Sequence, residues 1–399
     1  MQDWENLKGE GIYDSSGAFS LDWNRMRQGY AHLGQADPTL SLCKFFQAAV
    51  ALAPPRIDLT IEPGLWKFHW NGGQLWDTSS LELLLAALTG AQTSLSRSLQ
   101  HVLWGLRFCL DQVEVEIGTA EARLVVGERG PRWGQPEPDG RGVFIALSRP
   151  RARWKPSQVL DITYLRWARE EMNWPGTCRF LERVRHGPVP LYVQGQRVDW
   201  AKPWAWRETF DERVLASWLE LPVQPQEAKI AVPVLWRSCN SFFFCQGQEM
   251  TQLPSTYLVD GRLQALRCMH LTLQEGPINP TSGQVWTGCP DQLIFYSDGI
   301  AVKTPQPWLQ DFGVAMILDV GHLPTDATQL ELVEGAELRL LYQQCIQDVR
   351  SFLTFLQERT PVYKPPSLLR SWFVTEKGLS LARWLPDVIH RCRPLLLEA

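Results

Sequence analysis

Several signatures are missing from this sequence of 399 residues, and each absence removes a class of function. No apolar run reaches the roughly 18 residues that a membrane-spanning helix needs. The opening residues, MQDWENLKGEG, lack the basic start and the apolar core of a secretory signal, so a cytoplasmic protein is expected. Charge of one sign is not in excess: 39 Lys and Arg stand against 43 Asp and Glu, a net charge of −4. No general attraction to nucleic acid or anionic lipid follows from that balance. No C-x-x-C occurs, and no His/Cys cluster has zinc-ligand spacing. There is no G-x-S-x-G, no H-E-x-x-H and no P-loop, and no internal repeat or low-complexity tract.

Hydrophobic residues make up 45% of the chain and charged residues 21%, which suits a globular protein. The length is too great for one ordinary core, so two or three domains are expected. The nine cysteines are odd in number and scattered, with Cys239 and Cys245 flanking a Phe run. They read as reduced, mostly buried thiols. Nineteen tryptophans are an unusual load. Their common use is core filling and loop anchoring. Those in polar stretches, such as Trp200, Trp204 and Trp206 in VDWAKPWAWRE, also suit a partner-binding surface. Histidines His69, His101, His186, His270, His322 and His390 are dispersed and read as surface or satisfied core groups.

Residues 1–18 read as a loosely tied arm, and Phe19–Leu33 has helical character. Asp37-Pro38 supplies an N-cap and a first-turn proline. Leu42, Phe45, Phe46, Ala49 and Val50 then repeat with the period of a buried helical stripe. Cys43 and Gln47 share a neighbouring face of that helix, and Pro54-Pro55 ends it. Ile57, Leu59 and Ile61 alternate, as do Trp66, Phe68 and Trp70, giving two strands. Gly72-Gly73 follows as a turn. Ser79 or Ser80 is placed to cap a short helix, LELLLAAL, which Gly90 closes. A stripe from Leu95 to Leu110 predicts another helix. Val113–Ile117 and Ala122–Val126 read as paired strands, 128–141 as a Gly/Pro-rich loop, and Val143–Leu147 as the last strand of the first domain. The basic run Arg149, Arg151, Arg153 and Lys155, interleaved with Trp154, reads as a solvated linker. A contact to an acidic partner or to RNA is the alternative.

Further on, PVPLYVQGQRVDW reads as a hairpin turning at Gly195, and residues 228–304 as short strands separated by polar turns. FGVAMILDV is a nearly continuous apolar strand. Leu338 to Leu356 keeps a helical period for five turns, Pro361, Pro365 and Pro366 break it, and a last helical segment, SLARWLPDVIHRCRPLLL, completes the chain.

The order helix, strand, strand, Gly-Gly turn, helix over Leu42–Asp77 resembles the nucleotide-binding core of the GHKL superfamily, which includes gyrase, the ninety-kilodalton heat-shock chaperones, histidine kinases and the mismatch-repair protein MutL. That family places a Glu and an Asn four apart on the first helix and a D-x-G-x-G turn after the second strand. Here those positions read Cys43, Gln47 and Trp70-Asn71-Gly72-Gly73-Gln74. A second stretch, FGVAMILDVGHLPTDATQLELVEGAEL, is similar to the chaperones' middle domain. Asp319, Leu323-Pro324, Asp326 and Thr328 match its motif or fall on its polar positions, while Gln329 falls where the family's phosphate-reaching Arg sits and Leu330 where a Glu follows. Some bacterial proteins of this degenerate pattern carry L-P-T-D-x-[ST]-Q-x-x-L-V here.

The resemblance implies an α/β protein. It has an N-terminal Bergerat-type α/β sandwich (a mixed sheet backed by helices) over 19–150, a chaperone-middle-like α/β domain over 151–330 and a helical C-terminal segment over 331–399. It also implies what ATP hydrolysis would require: a Glu base, an Asn oxygen on Mg²⁺, an Asp reading adenine and glycines admitting phosphate. Cys43 has no evident neighbouring cation to activate it. Gln47 carries its oxygen one methylene further out. Trp70 replaces the Asp with a bulky indole, and SLQHVLWGLRF keeps only Gly105 of the glycine-rich lid. The expectation is a pseudo-ATPase with no catalytic residue, no metal and no expected cofactor, acting by protein–protein binding as a scaffold, assembly factor or regulatory subunit. Cys43, Gln47, Trp70, Gly72, Gly73 and Gln329 are its degenerate nucleotide-site positions. The alternatives are a divergent ATP-binding chaperone or ATPase using ATP and Mg²⁺, and a nucleic-acid-associated accessory protein.

Overall fold

The structure is a computed structural model. It describes residues 39–62, 65–91, 93–109, 113–128, 130–136, 142–148, 175–198, 212–233, 242–250, 254–278, 285–287, 292–304, 314–321, 323–326 and 330–359. The arm at 1–18, the Asp37-Pro38 cap, the basic run at 149–155, the tryptophans at 200–206, Gln329 and the final helical segment lie outside the described residues. The chain divides into two compact units, 1–185 with 189–198, and 186–188 with 199–399.

In the first unit, α1 (Thr39–Val50) leads into β1 (Ile57–Glu62) and β2 (Leu65–Trp70), then α2 (Thr78–Leu88) and α3 (Arg97–Cys109). Strands β3 (Glu114–Gly118), β4 (Arg123–Gly127), β5 (Gly130–Gly134) and β6 (Val143–Ser148) follow. Helix α4 (Pro175–Val184) and the short strands β7 (Leu191–Val193) and β8 (Gln196–Arg197) complete it. The eight strands form one mixed sheet in the order β5-β4-β3-β6-β2-β1-β7-β8, with β1 and β7 its parallel pair.

Strand alternation sets the register. Leu59, Phe68, Ile145, Ile117 and Leu124 stand opposite one another across five strands, and all are buried. Helices cover this face: Phe180 of α4 meets Phe68 and Phe46 of α1 edge-on, each at 6.0 Å. On the other face Lys67 lays its ammonium 4.4 Å from the Phe144 ring centroid, so a long charged side chain shields an apolar row.

Four local expectations are corrected. Asp77 caps α2, where a serine is expected: its carboxylate accepts from Ser80 N at 2.8 Å, and the helix begins at Thr78. The stretch 128–141 is not all loop, because β5 adds an edge strand to β4; Pro131 is tolerated there because an edge strand need not donate on its outer side. Val143–Leu147 is central and not the last strand, lying between β2 and β3. The hairpin at 191–197, read as part of the middle domain, joins the first sheet by pairing with β1. Gln194 and Gly195 turn it, with φ of 53° and 74°.

The second unit is built on β15 (Arg267–Ile278), which pairs with β9 (Glu212–Glu220) on one side and β19 (Val314–Asp319) on the other. The main sheet runs β12 (Gln248–Met250), β11 (Phe242–Cys245), β9, β15, β19, β17 (Gln292–Ser297), β18 (Ile300–Val302), with β16 (Val285–Thr287) beside β15. One face carries Ala216, Met269, Leu271, Phe295 and Met316 and is covered by α5 (Ala336–Arg359) through Cys345, Val349, Phe352 and Leu356. The helix read as a separate C-terminal segment is thus part of this unit's core, because its apolar stripe has the sheet face as partner. The opposite face carries Leu219, Cys268, Tyr296 and Ile317 and is covered by a small sheet of β10 (Ile230–Pro233), β14 (Arg262–Ala265) and β13 (Leu258–Val259). Arg267 ties the layers, pairing with Glu220 of β9 and with Asp348 of α5.

Candidate functional site

Helix α1 buries Cys43 and Gln47, and β2 ends at a buried Trp70. All of Thr39–Ala49 is buried, not only the apolar stripe. Cys43 and Trp70 are 0% exposed and Gln47 1%. Between them in sequence stands a residue the periodicity passes over: Lys44 is also 0% exposed and donates to Gln47 Oε1 at 2.9 Å. The amide oxygen that the resemblance would offer to a metal therefore accepts a hydrogen bond from an ammonium group.

Trp70, at the position where the resemblance expects an adenine-reading carboxylate, packs its ring edge-on against Trp76, centroids 5.5 Å apart. Both indole N–H groups are buried without a hydrogen-bond acceptor among the described residues. Such orphan donors cost on the order of 1–3 kcal/mol each, so the position keeps a bulky ring despite a polar penalty.

The Gly72-Gly73 turn has φ of 76° and 73°, a conformation that glycine adopts without strain. Its free edge is occupied by protein. A Cβ on Gly73 would lie 2.4 Å from the Leu52 carbonyl oxygen, and one on Gly72 3.1 Å from Pro55 Cδ. Gln74 N donates to Leu52 O at 3.0 Å. The glycines thus let the turn approach the chain leaving α1. Gly105, read as the survivor of a lid, lies inside α3, where a Cβ would meet the Phe45 ring at 2.6 Å. It serves helix contact, and Ser98 adds a hydrogen bond to Ala48 O at 2.7 Å.

Of the second motif, Asp319 ends β19 and accepts from Gly321 N at 3.2 Å. Asp326 accepts from Leu330 N and Glu331 N at 3.2 and 3.1 Å, closing a loop with its carboxylate. Leu323 and Leu330 are buried. These matched residues organise a turn.

One polar cluster was not legible in the sequence. Ser217 Oγ lies 2.9 Å from His270 Nδ1, and Cys268 Sγ lies 2.8 Å from His270 Nε2, all wholly buried. Burial pushes the imidazole down to about 3 and the thiol well up. Ser217 and His270 stand far apart in the chain, and only the β9–β15 register joins them. Among the described residues, no group of three or more His, Cys, Asp or Glu is placed to hold a metal ion. No helix among them is long and apolar enough to cross a membrane.

No protein-family model matches the chain. A search of the curated proteins finds no relative. Among solved structures, one described as the N-terminal domain of a DNA repair protein is similar, with 10% identity, over 81% of this chain and 97% of that one, at a TM-score of 0.39. The B-subunit of the DNA gyrase from Myxococcus xanthus is similar with 12% identity, over 77% of this chain and 89% of that one, at a TM-score of 0.34. At these scores neither likeness carries an argument about what this chain binds or does.

Proposed function

We infer that this chain is a pseudo-ATPase: a GHKL-like, heat-shock-chaperone-like protein of Bergerat-type architecture whose nucleotide cradle has been converted into core. It acts in the cytoplasm by binding a protein partner, as a scaffold, assembly factor or regulatory subunit, and needs neither ATP nor Mg²⁺. The observation that carries this reading is the complete burial of Trp70 against Trp76 at the end of β2. On α1 the Gln47 oxygen accepts from Lys44, and the turn glycines after β2 pack against α1's exit. Gln47, Trp70 and the two turn glycines are thereby engaged with protein.

The test is the double variant Gln47→Ala, Gly72→Ala in the full chain, measured for ATP affinity and for stability together. On this reading stability falls, while nucleotide affinity is absent before and after the change. Measurable affinity in the parent chain that collapses in a still-folded variant would overturn it.

A further inference from the structure

The turn after β2 holds the chain's single Asn-Gly step. Of the six asparagines only Asn71 precedes a glycine; the others precede Leu7, Arg25, Trp174, Ser241 and Pro280. Asparagine is one of the thermally labile side chains. Its carboxamide carbon is open to attack by the backbone nitrogen of the next residue, and the usual obstacle is that residue's own side chain. Gly72 has none, and its peptide plane turns with little steric resistance.

The surroundings leave both reacting groups accessible. Asn71 and Gly72 are exposed. Among the described residues, neither the Asn71 carboxamide nor the Gly72 N–H has a hydrogen-bond partner. Gly142, with φ of 104°, gives the carboxamide its space, since a Cβ there would overlap Asn71 Oδ1.

We propose that Asn71-Gly72 is a spontaneous modification site whose isoaspartate product frees the turn from the chain leaving α1. The Gly72 nitrogen attacks Asn71 Cγ. A new C–N bond forms, the carboxamide C–N bond breaks, and ammonia leaves with the proton of the Gly72 N–H. The product is a succinimide ring. Water opens it at Cγ to give aspartate, or at the backbone carbonyl to give isoaspartate, and nothing is oxidised or reduced.

The turn is anchored on both sides of position 71. Before it, Trp70 is buried and pairs with Val143. After it, Gln74 N donates to Leu52 O at 3.0 Å, and Gly73 packs against the same carbonyl. Isoaspartate routes the main chain through Cβ and Cγ, which adds a methylene between these anchors. Aspartate leaves the path length unchanged. The isoaspartate form therefore loses the Leu52 seat and the aspartate form keeps it.

The full native chain is aged at physiological temperature and mildly alkaline pH, then mapped by peptide mass spectrometry with chromatographic separation of the two products. Both products should accumulate at position 71 before any appears at the other asparagines. Hydrogen exchange, read separately on the two product peptides spanning 66–76, should show lost protection in the isoaspartate form and parent-like protection in the aspartate form. Asn71→Gln, aged alongside, should show neither conversion nor lost protection; where that variant does not fold, the two product peptides of the parent chain decide. An Asn71 that stays amidated in the native chain while converting in the denatured chain would overturn the proposal, as would isoaspartate with unchanged protection.

Discussion

Replacing Trp70 by Phe and by Ala separates the two forces that act on its indole. Phenylalanine keeps an aromatic edge against Trp76 but removes a few heavy atoms, a loss of about 1.6 kcal/mol if counted as two methylene equivalents at about 0.8 kcal/mol each. It also removes a buried N–H that has no acceptor among the described residues, which returns about 1–3 kcal/mol. The two effects nearly cancel, so Trp70→Phe should lie within about 1.5 kcal/mol of the parent. Alanine leaves a cavity beneath β2 and should cost about 3–5 kcal/mol. A chain of two units need not unfold in one step, so the readout is native-state hydrogen exchange at the amides of β2 and β6, which pair from Leu65–Ser148 to Trp70–Val143. A Phe variant that costs more than about 3 kcal/mol would mean the N–H has an acceptor. An Ala variant that costs less than about 1 kcal/mol would mean the ring is not core. Either result refutes the reasoning.

Three further outcomes are expected. Gly73→Ala combines a left-handed φ with a Cβ against the Leu52 carbonyl and should destabilise the first unit by at least about 2 kcal/mol, again by hydrogen exchange. Asp77 is held below its ordinary carboxyl value by its hydrogen bonds from Ser80. Its contribution to α2 is present above the unfolded carboxyl's titration and is lost as pH falls through the folded value; Asp77→Ala should flatten that part of the acid stability profile. Burial, with the Asp348 charge adding to it, pushes the Cys345 thiol up to about 12, so peptide mass spectrometry after iodoacetamide treatment at pH 8 should find it unmodified in the native chain.

The elements with strict periodicity were readable before any coordinates. Helix α1, strands β1 and β2, the β3–β4 pair, β19 and α5 occur where alternation or a 3.6-residue stripe places them. What periodicity misses is burial of polar groups: it marks Leu42, Phe45 and Phe46 but is silent on Lys44 and Gln47, which the structure buries as deeply. Edge strands are equally hard to see. β5 contains Pro131 and is bounded by glycines, a composition that reads as loop until β4 offers it a partner. Long-range placement is harder still. The β7–β8 hairpin was legible as a hairpin, but nothing local says that it pairs with Leu59, far earlier in the chain. At the candidate site, the absence of the carboxylates that the resemblance expects was plain at Cys43 and Trp70. The turn glycines were ambiguous, because a glycine that admits a phosphate and one that admits a carbonyl look alike until the neighbour, here Leu52 O, is placed.

The most direct measurement is isothermal calorimetry of the full chain against ATP with Mg²⁺, followed by phosphate release on the same sample. With Trp70 standing where the resemblance expects the adenine-reading Asp and Lys44 bonded to Gln47, the titration should give no binding heat beyond dilution and no turnover. A sub-micromolar dissociation constant with Mg²⁺-dependent phosphate release would contradict it.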